Sequence, residues 1–198
     1  MELDPRLTLL RRALEQRPAQ RLPRGPEPLE AAVALILRPR SELELLLIER
    51  ARHEADPWSG HVALPGGRRK PDDPDLIATA FRETTEETGI PLSRLGTLLG
   101  RLDEVRPTTP RVPPIIIAPF VVAVPPDTEA RPEPREVNAA LWVPLGALRA
   151  EGAASEILIE LENGSRAFPS LRYEGYTIWG LTYRILKQLF ELADACGL

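Results

Sequence analysis

A chain of 198 residues, 43% apolar and 27% charged, fits one domain with a sizeable core and is too balanced for a disordered or fibrous protein. Its net charge of −4 argues against nucleic-acid binding, and no apolar run approaches the length of a membrane span. The single cysteine, Cys196, excludes an internal disulfide, and the amino terminus lacks a basic leader region, so a cytoplasmic protein is expected.

Residues 4–16 read as an amphipathic helix, and residues 18–29, with four prolines, as an extended connector. The near-continuous apolar run 31–37 is expected as a buried strand, followed by a second strand over 43–49 and a loop over 51–61. A helix is expected over about 74–88, with Asp73 as N-cap, Pro74 at its first position and Gly89 as a left-handed end. Residues 95–102 and 114–124 read as strands, 125–135 as a surface loop, 136–143 as another strand and 145–149 as a short helix. Residues 157–160 and 166–173 suggest a hairpin around Asn163-Gly164. Residues 176–195 read as a long helix with Ile178, Leu181, Ile185, Leu189 and Leu192 on one face. Strands interleaved with long helices give an α/β class, with no internal repeat and no second domain.

The chemistry concentrates on the helix over 74–88. With Glu83 at zero, Glu87 lies near about 40° and Glu86 near about −60°, so three carboxylates share one arc of roughly 100°. Like charges one turn apart repel, and a divalent cation would reverse the sign of that interaction. Ile77, Ala80, Phe81, Thr84 and Thr88 form an apolar stripe beside them, placing the carboxylates at the edge of a cleft. Arg82, four residues before Glu86, is expected to pair with it and to leave Glu83 and Glu87 as the freer metal ligands.

The run Arg82-Glu83-x-x-Glu86-Glu87-x-Gly89-Ile90, preceded by Gly66-Gly67, resembles the signature of the Nudix hydrolases. That family cleaves a nucleoside diphosphate linked to another moiety, using Mg²⁺ or Mn²⁺. Three departures stand out. The gap from Gly67 to Arg82 is one residue longer than usual, the early glutamate is missing (Asp73 and Asp75 stand nearby), and Thr84 replaces an aliphatic residue. The first two resemble the coenzyme A pyrophosphatase subgroup. That subgroup has a second motif upstream, matched here by Leu46-Leu47-Ile48-Glu49-Arg50-Ala51 and Gly60-His61-Val62-Ala63-Leu64-Pro65-Gly66-Gly67. The match is incomplete: the middle arginine is missing, the interval from Arg50 to Gly60 is one residue longer, and Leu64 stands for a phenylalanine. Ile178 to Thr182, Glu136-Val137 and Trp142 to Leu145 resemble further stretches of the subgroup, so the similarity covers roughly residues 30–192.

The resemblance implies the mixed-sheet α/β/α sandwich of Nudix domains over residues 30–198, with residues 1–29 as an appended helix and connector. It implies Mg²⁺ or Mn²⁺ held by Glu83, Glu87, Glu86 and a glycine carbonyl at Gly66 or Gly67. Arg82, Glu86 and Glu136 would then serve the chemistry, Glu136 as the loop candidate for general base with Glu133 and Glu104 behind it. Arg50, Arg52 and His61 are candidates for contacts to a small-molecule, CoA-type substrate, because the arginine fork suits diphosphate oxygens. Arg68 and Arg69 are weaker candidates, equally readable as solvated charges. Trp58 is a candidate stacking residue, His53 reads as exposed, and Trp179 and Tyr183 read as core residues of the last helix. Substrates open at this point are CoA or its derivatives, or another diphosphate such as ADP-ribose or NADH. A non-catalytic ligand-sensing module is disfavoured by the retained acids. Oligomeric state is left open.

Overall fold

The computed structural model describes residues 3–26, 28–51, 60–107, 114–161 and 164–198. The chain runs α1 (Pro5–Gln16), β1 (Glu30–Pro39), β2 (Leu43–Arg50), β3 (Val62–Ala63), β4 (Gly66–Arg68), α2 (Leu76–Thr88), α3 (Leu92–Leu95) and β5 (Thr97–Arg101). It continues through β6 (Ile116–Ala123), β7 (Val137–Pro144), α4 (Leu145–Arg149), β8 (Ala154–Leu161), β9 (Gly164–Tyr173), β10 (Tyr176–Trp179) and α5 (Gly180–Ala195).

A mixed sheet holds the fold together. β1 pairs in parallel with β6 from Glu30↔Ile116 to Leu37↔Ala123, while its other contacts are antiparallel. β1 and β2 meet only near their hairpin, at Leu37↔Leu45 to Pro39↔Leu43, and then part. The wedge between them is filled by β3 on β2 and by β4 on β1, where Ala32 opposes Gly67. β7 covers the far edge of β2, and β5 the far edge of β6. β8, β9 and β10 form a second, antiparallel sheet.

Helices cover both faces, which is why β1 reads as an unbroken apolar run. Ala32, Ala34 and Ile36 pack with Leu46, Ala80 and Ile90 on the α2 side. Leu35, Leu37, Leu45 and Leu47 pack on the other side against α1 and α5 through Leu7, Leu10, Ile185 and Leu189. Leu7 and Leu10 are fully buried, each worth about 1.5–3 kcal/mol of burial. This is the α/β, mixed-sheet sandwich expected.

Several local expectations shift. The last helix begins at Gly180, and residues 176–179 are strand β10. Strands β3 and β4 and helix α3 are additional elements. The hairpin of β8 and β9 forms in the register Ala154↔Leu171 to Leu161↔Gly164, while Asn163 lies outside the described residues. Among the described residues no helix is long and apolar enough to cross a membrane.

Candidate active site

Helix α2 begins two residues later than its sequence suggests, at Leu76. Asp75, not Asp73, is the N-cap, its carboxylate accepting from the Ala78 N–H at 2.8 Å. Pro74 therefore lies outside the helix. Gly89 ends it as expected, in the left-handed region with φ +68°. The packed face differs from the expected stripe: Thr79, Ala80, Thr84, Glu87 and Thr88 are buried, while Ile77 and Phe81 are half-buried. Thr84, where the resemblance leads one to expect an aliphatic residue, has a buried hydroxyl with no hydrogen-bond partner among the described residues.

β4 lies along this helix, and its residues meet the signature side chains one after another. The Gly66 N–H donates to Glu87 Oε2 at 2.8 Å. A Cβ on Gly67 would stand 2.6 Å from the Glu83 carboxylate, so any side chain there would have to push that carboxylate aside. Gly66 has φ +149°, and a Cβ on it would strike the Ala32 carbonyl oxygen at 2.2 Å. Arg68 accepts at its carbonyl from Arg82 Nη2 at 3.1 Å, and Lys70 Nζ reaches Glu86 Oε2 at 3.4 Å.

Arg82 is the organising cation. Its Nε and Nη2 grip Asp73 in a bidentate pair at 2.9 and 2.8 Å. Its Nη1 donates both to Glu83 Oε1 at 2.6 Å and to Glu86 Oε2 at 3.0 Å. The expected pairing with Glu86 is present, but Glu83 is not left free: Arg82 holds both. Sequence spacing favours Glu86 because it lies one turn on, whereas the same Nη1 also reaches the adjacent residue, Glu83. Asp73 is the acid that the sequence misassigned. It is buried, accepts from the Lys70 N–H and the Thr79 hydroxyl, and is held well below the usual carboxylate range chiefly by Arg82.

Glu87 is the unusual member. It is 3% exposed, and burial pushes its carboxyl up to about 8. The Gly66 N–H and Arg50, whose Nη1 is 4.0 Å from Glu87 Oε1, oppose that rise, while the charges of Glu83 and Glu136 add to it. Glu136 is exposed and stands beside Arg50 in the fold, since its carbonyl accepts from the Ala51 N–H at 2.9 Å. The loop before it also seals the end of α2: the Arg131 N–H donates to the Thr88 carbonyl and the Glu133 N–H to the Glu87 carbonyl.

Among the described residues no three acidic, histidine or cysteine side chains converge on one point at metal-ligand spacing, and Arg82 Nη1 bridges Glu83 and Glu86. The donors nonetheless suit a hard divalent cation. They are all oxygens, and Glu87 is a buried carboxyl with one N–H partner and two like charges near it. A cation is the natural counter-charge for that group.

The remaining candidates separate. His61 is half-buried, its ring set edge-on to Trp179 at 5.2 Å, and its carbonyl accepts from the Arg50 N–H. Trp179 therefore closes strand β10 against His61 and is not a helix core residue. Glu104 is withdrawn as a base candidate: its side chain is wholly buried and clamped by Arg24, Arg101 and the Leu22 N–H. Arg69 is engaged with Glu30 and with the carbonyls of Asp73 and Pro74. Arg52, His53 and Trp58 lie outside the described residues.

A family model described as the NUDIX domain matches residues 27–161. The chain is 32% identical over 160 residues to the uncharacterized Nudix hydrolase NudL of Salmonella newport, covering 81% of this chain and 80% of that one. It is 37% identical over 153 residues to the uncharacterized protein C14C4.10c of Schizosaccharomyces pombe, covering 75% of this chain but only 42% of that protein. A MutT/nudix family protein from Enterococcus faecalis shares the fold with a TM-score of 0.58 at 17% identity, over 98% of this chain and 76% of that one.

Proposed function

The chain belongs to the Nudix hydrolase family, and from that premise we propose that it hydrolyses the diphosphate bond of coenzyme A or its derivatives to 3′,5′-ADP and 4′-phosphopantetheine. One observation carries the substrate reading. The upstream motif that resembles the CoA-cleaving subgroup, Leu46–Ala51 with Gly60–Gly67, is built into β2, β3 and β4 and delivers Arg50 to within 4.0 Å of Glu87.

A diphosphate resists attack because its anionic oxygens repel a nucleophile. Mg²⁺ or Mn²⁺, when bound, would neutralise that charge and acidify the attacking water. Glu87, Glu83, Glu86 and the Gly67 carbonyl are the groups that would hold it. Arg82 orients Glu83 and Glu86 and keeps the glutamates from splaying apart. Arg50 offers its fork to a diphosphate oxygen, with Arg52 and His61 as further substrate contacts. Glu136, exposed and close enough for its charge to act on Glu87, accepts the water proton.

The test is product analysis after incubation with CoA and Mg²⁺. Formation of 3′,5′-ADP is expected. Its absence, while ADP-ribose or NADH is turned over, would overturn the substrate and favour the second reading. That reading is a Nudix hydrolase for another nucleoside diphosphate derivative, and it draws on the missing arginine between Arg50 and Gly60.

A further inference from the structure

Beyond the acids, β4 runs into a cavity of about 400 Å³ lined by Leu29, Glu30, Arg68, Arg69, Lys70 and Ile115, among others. Three consecutive cations on its wall face only one carboxylate there, that of Glu30. Glu30 is already occupied, since Arg24 and Arg69 both bind it, at 3.0 and 3.1 Å. Arg69 is further fixed by the carbonyls of Asp73 and Pro74. Arg68 is different: among the described residues its guanidinium makes no hydrogen bond or ion pair, and it is exposed. Among the described residues the Lys70 ammonium contacts Glu86 alone, at 3.4 Å with both side chains about half exposed, which is a weak tie.

The position of these two cations relative to the acids restricts what they bind. Alternation along β4 turns Gly67 toward Glu83 and Arg68 away from it, so Arg68 lies across the strand from the carboxylates. Arg68 is one residue from the Glu83 contact, and Lys70 touches Glu86 itself. A substrate whose diphosphate lies at the acids therefore places a more distant group, not the scissile one, at Arg68.

We propose that Arg68, assisted by Lys70, forms an anion subsite for a phosphate monoester that the substrate carries beyond its scissile diphosphate. This rests on the diphosphate hydrolase reading above and adds selectivity to it. An arginine fork with no partner among the described residues presents paired donors to phosphate oxygens, and Arg68 and Lys70 line the same open cavity.

The experiment compares kcat/KM for CoA and for dephospho-CoA, which lacks the 3′-phosphate, in the native protein, R68A and R68K. The native protein is expected to favour CoA. R68A should shrink that ratio by about 10- to 100-fold, through KM rather than kcat, in line with loss of a charge-assisted hydrogen bond, and R68K should restore part of it. A ratio left unchanged by R68A would overturn the subsite. If the native protein hydrolyses neither compound, the substrate reading fails, and the subsite is judged by binding of 3′,5′-ADP against 5′-AMP. Tighter binding of 3′,5′-ADP that R68A abolishes supports the subsite, and equal binding of the two nucleotides by the native protein rejects it.

Discussion

Glu87 and Glu104 are two buried glutamates whose pKa values move in opposite directions. Glu104 has burial working against ionisation, yet two hydrogen bonds from Arg24, one from the Leu22 N–H and one from Arg101 hold it below its ordinary value. Glu87 is set more deeply, with one N–H and Arg50 at 4.0 Å to oppose burial and two further carboxylates beside it, so it is pushed up to about 8. Burial raises both groups; the supply of donors and the depth of the site together decide where each ends. Glu104 is saturated and fastens the amino-terminal connector to the sheet, whereas Glu87 has fewer donors than its burial calls for, a deficit that a bound cation would offset.

The sharpest way to break this contrast is to replace each acid by its amide. Glu87→Gln and Glu83→Gln are expected to lower kcat on the order of 10³-fold or more, with circular dichroism and melting temperature close to native. Near-normal turnover in both would remove the metal assignment. Glu104→Gln should do the reverse. It leaves Arg24 and Arg101 without their buried partner and should cost about 3–5 kcal/mol in urea denaturation, while the surviving folded protein keeps its activity. Added Mn²⁺ should raise the melting temperature of the native protein and of Glu104→Gln, and fail to do so for Glu87→Gln.

A smaller effect is expected from Gly67→Ala, whose new Cβ would push the Glu83 carboxylate aside. Activity should fall about 10- to 100-fold with little change in secondary structure, since small misplacements of a reacting group carry that penalty. The smallest effect is on acid stability. The folded-state value of Glu104 lies below its ordinary 4.5, so its contribution is present above that value and disappears as pH falls through the folded one. The stability gap between the native protein and Glu104→Gln should therefore narrow on acidification, and a gap that widens would contradict the sign.

Much of this site was legible in the sequence, and the omissions have physical causes. The left-handed end at Gly89 and the shared face of Glu83, Glu86 and Glu87 follow from helix spacing and were readable directly. β3 and β4 have only two and three residues, too few for any periodicity, and a Gly-Gly pair reads as loop. Asp73 looked like a cap because of its distance from the helix. In the fold it turns back over nine positions to Arg82, a contact that no local pattern encodes. The sequence reads β10 as the first turn of the following helix, whereas in the fold the strand ends at Trp179 and Gly180, with φ +64°, opens the helix. The clamp on Glu104 joins residues about 80 positions apart and depends entirely on tertiary structure.

The packing of α1 carries a consequence for synthesis. Leu14 packs so closely on β5 that a Cβ on Gly100 would lie 2.7 Å from its own, and the connector beyond is held at Asp103 by Arg17 and Gln20. Leu7 and Leu10 share their cluster with Ile185 and Leu189 of α5. α1 is synthesised well before the residues that cover it, because its partners lie in β5 and α5. Until those elements emerge its leucine face has nothing native to lie against, so its burial comes late in folding.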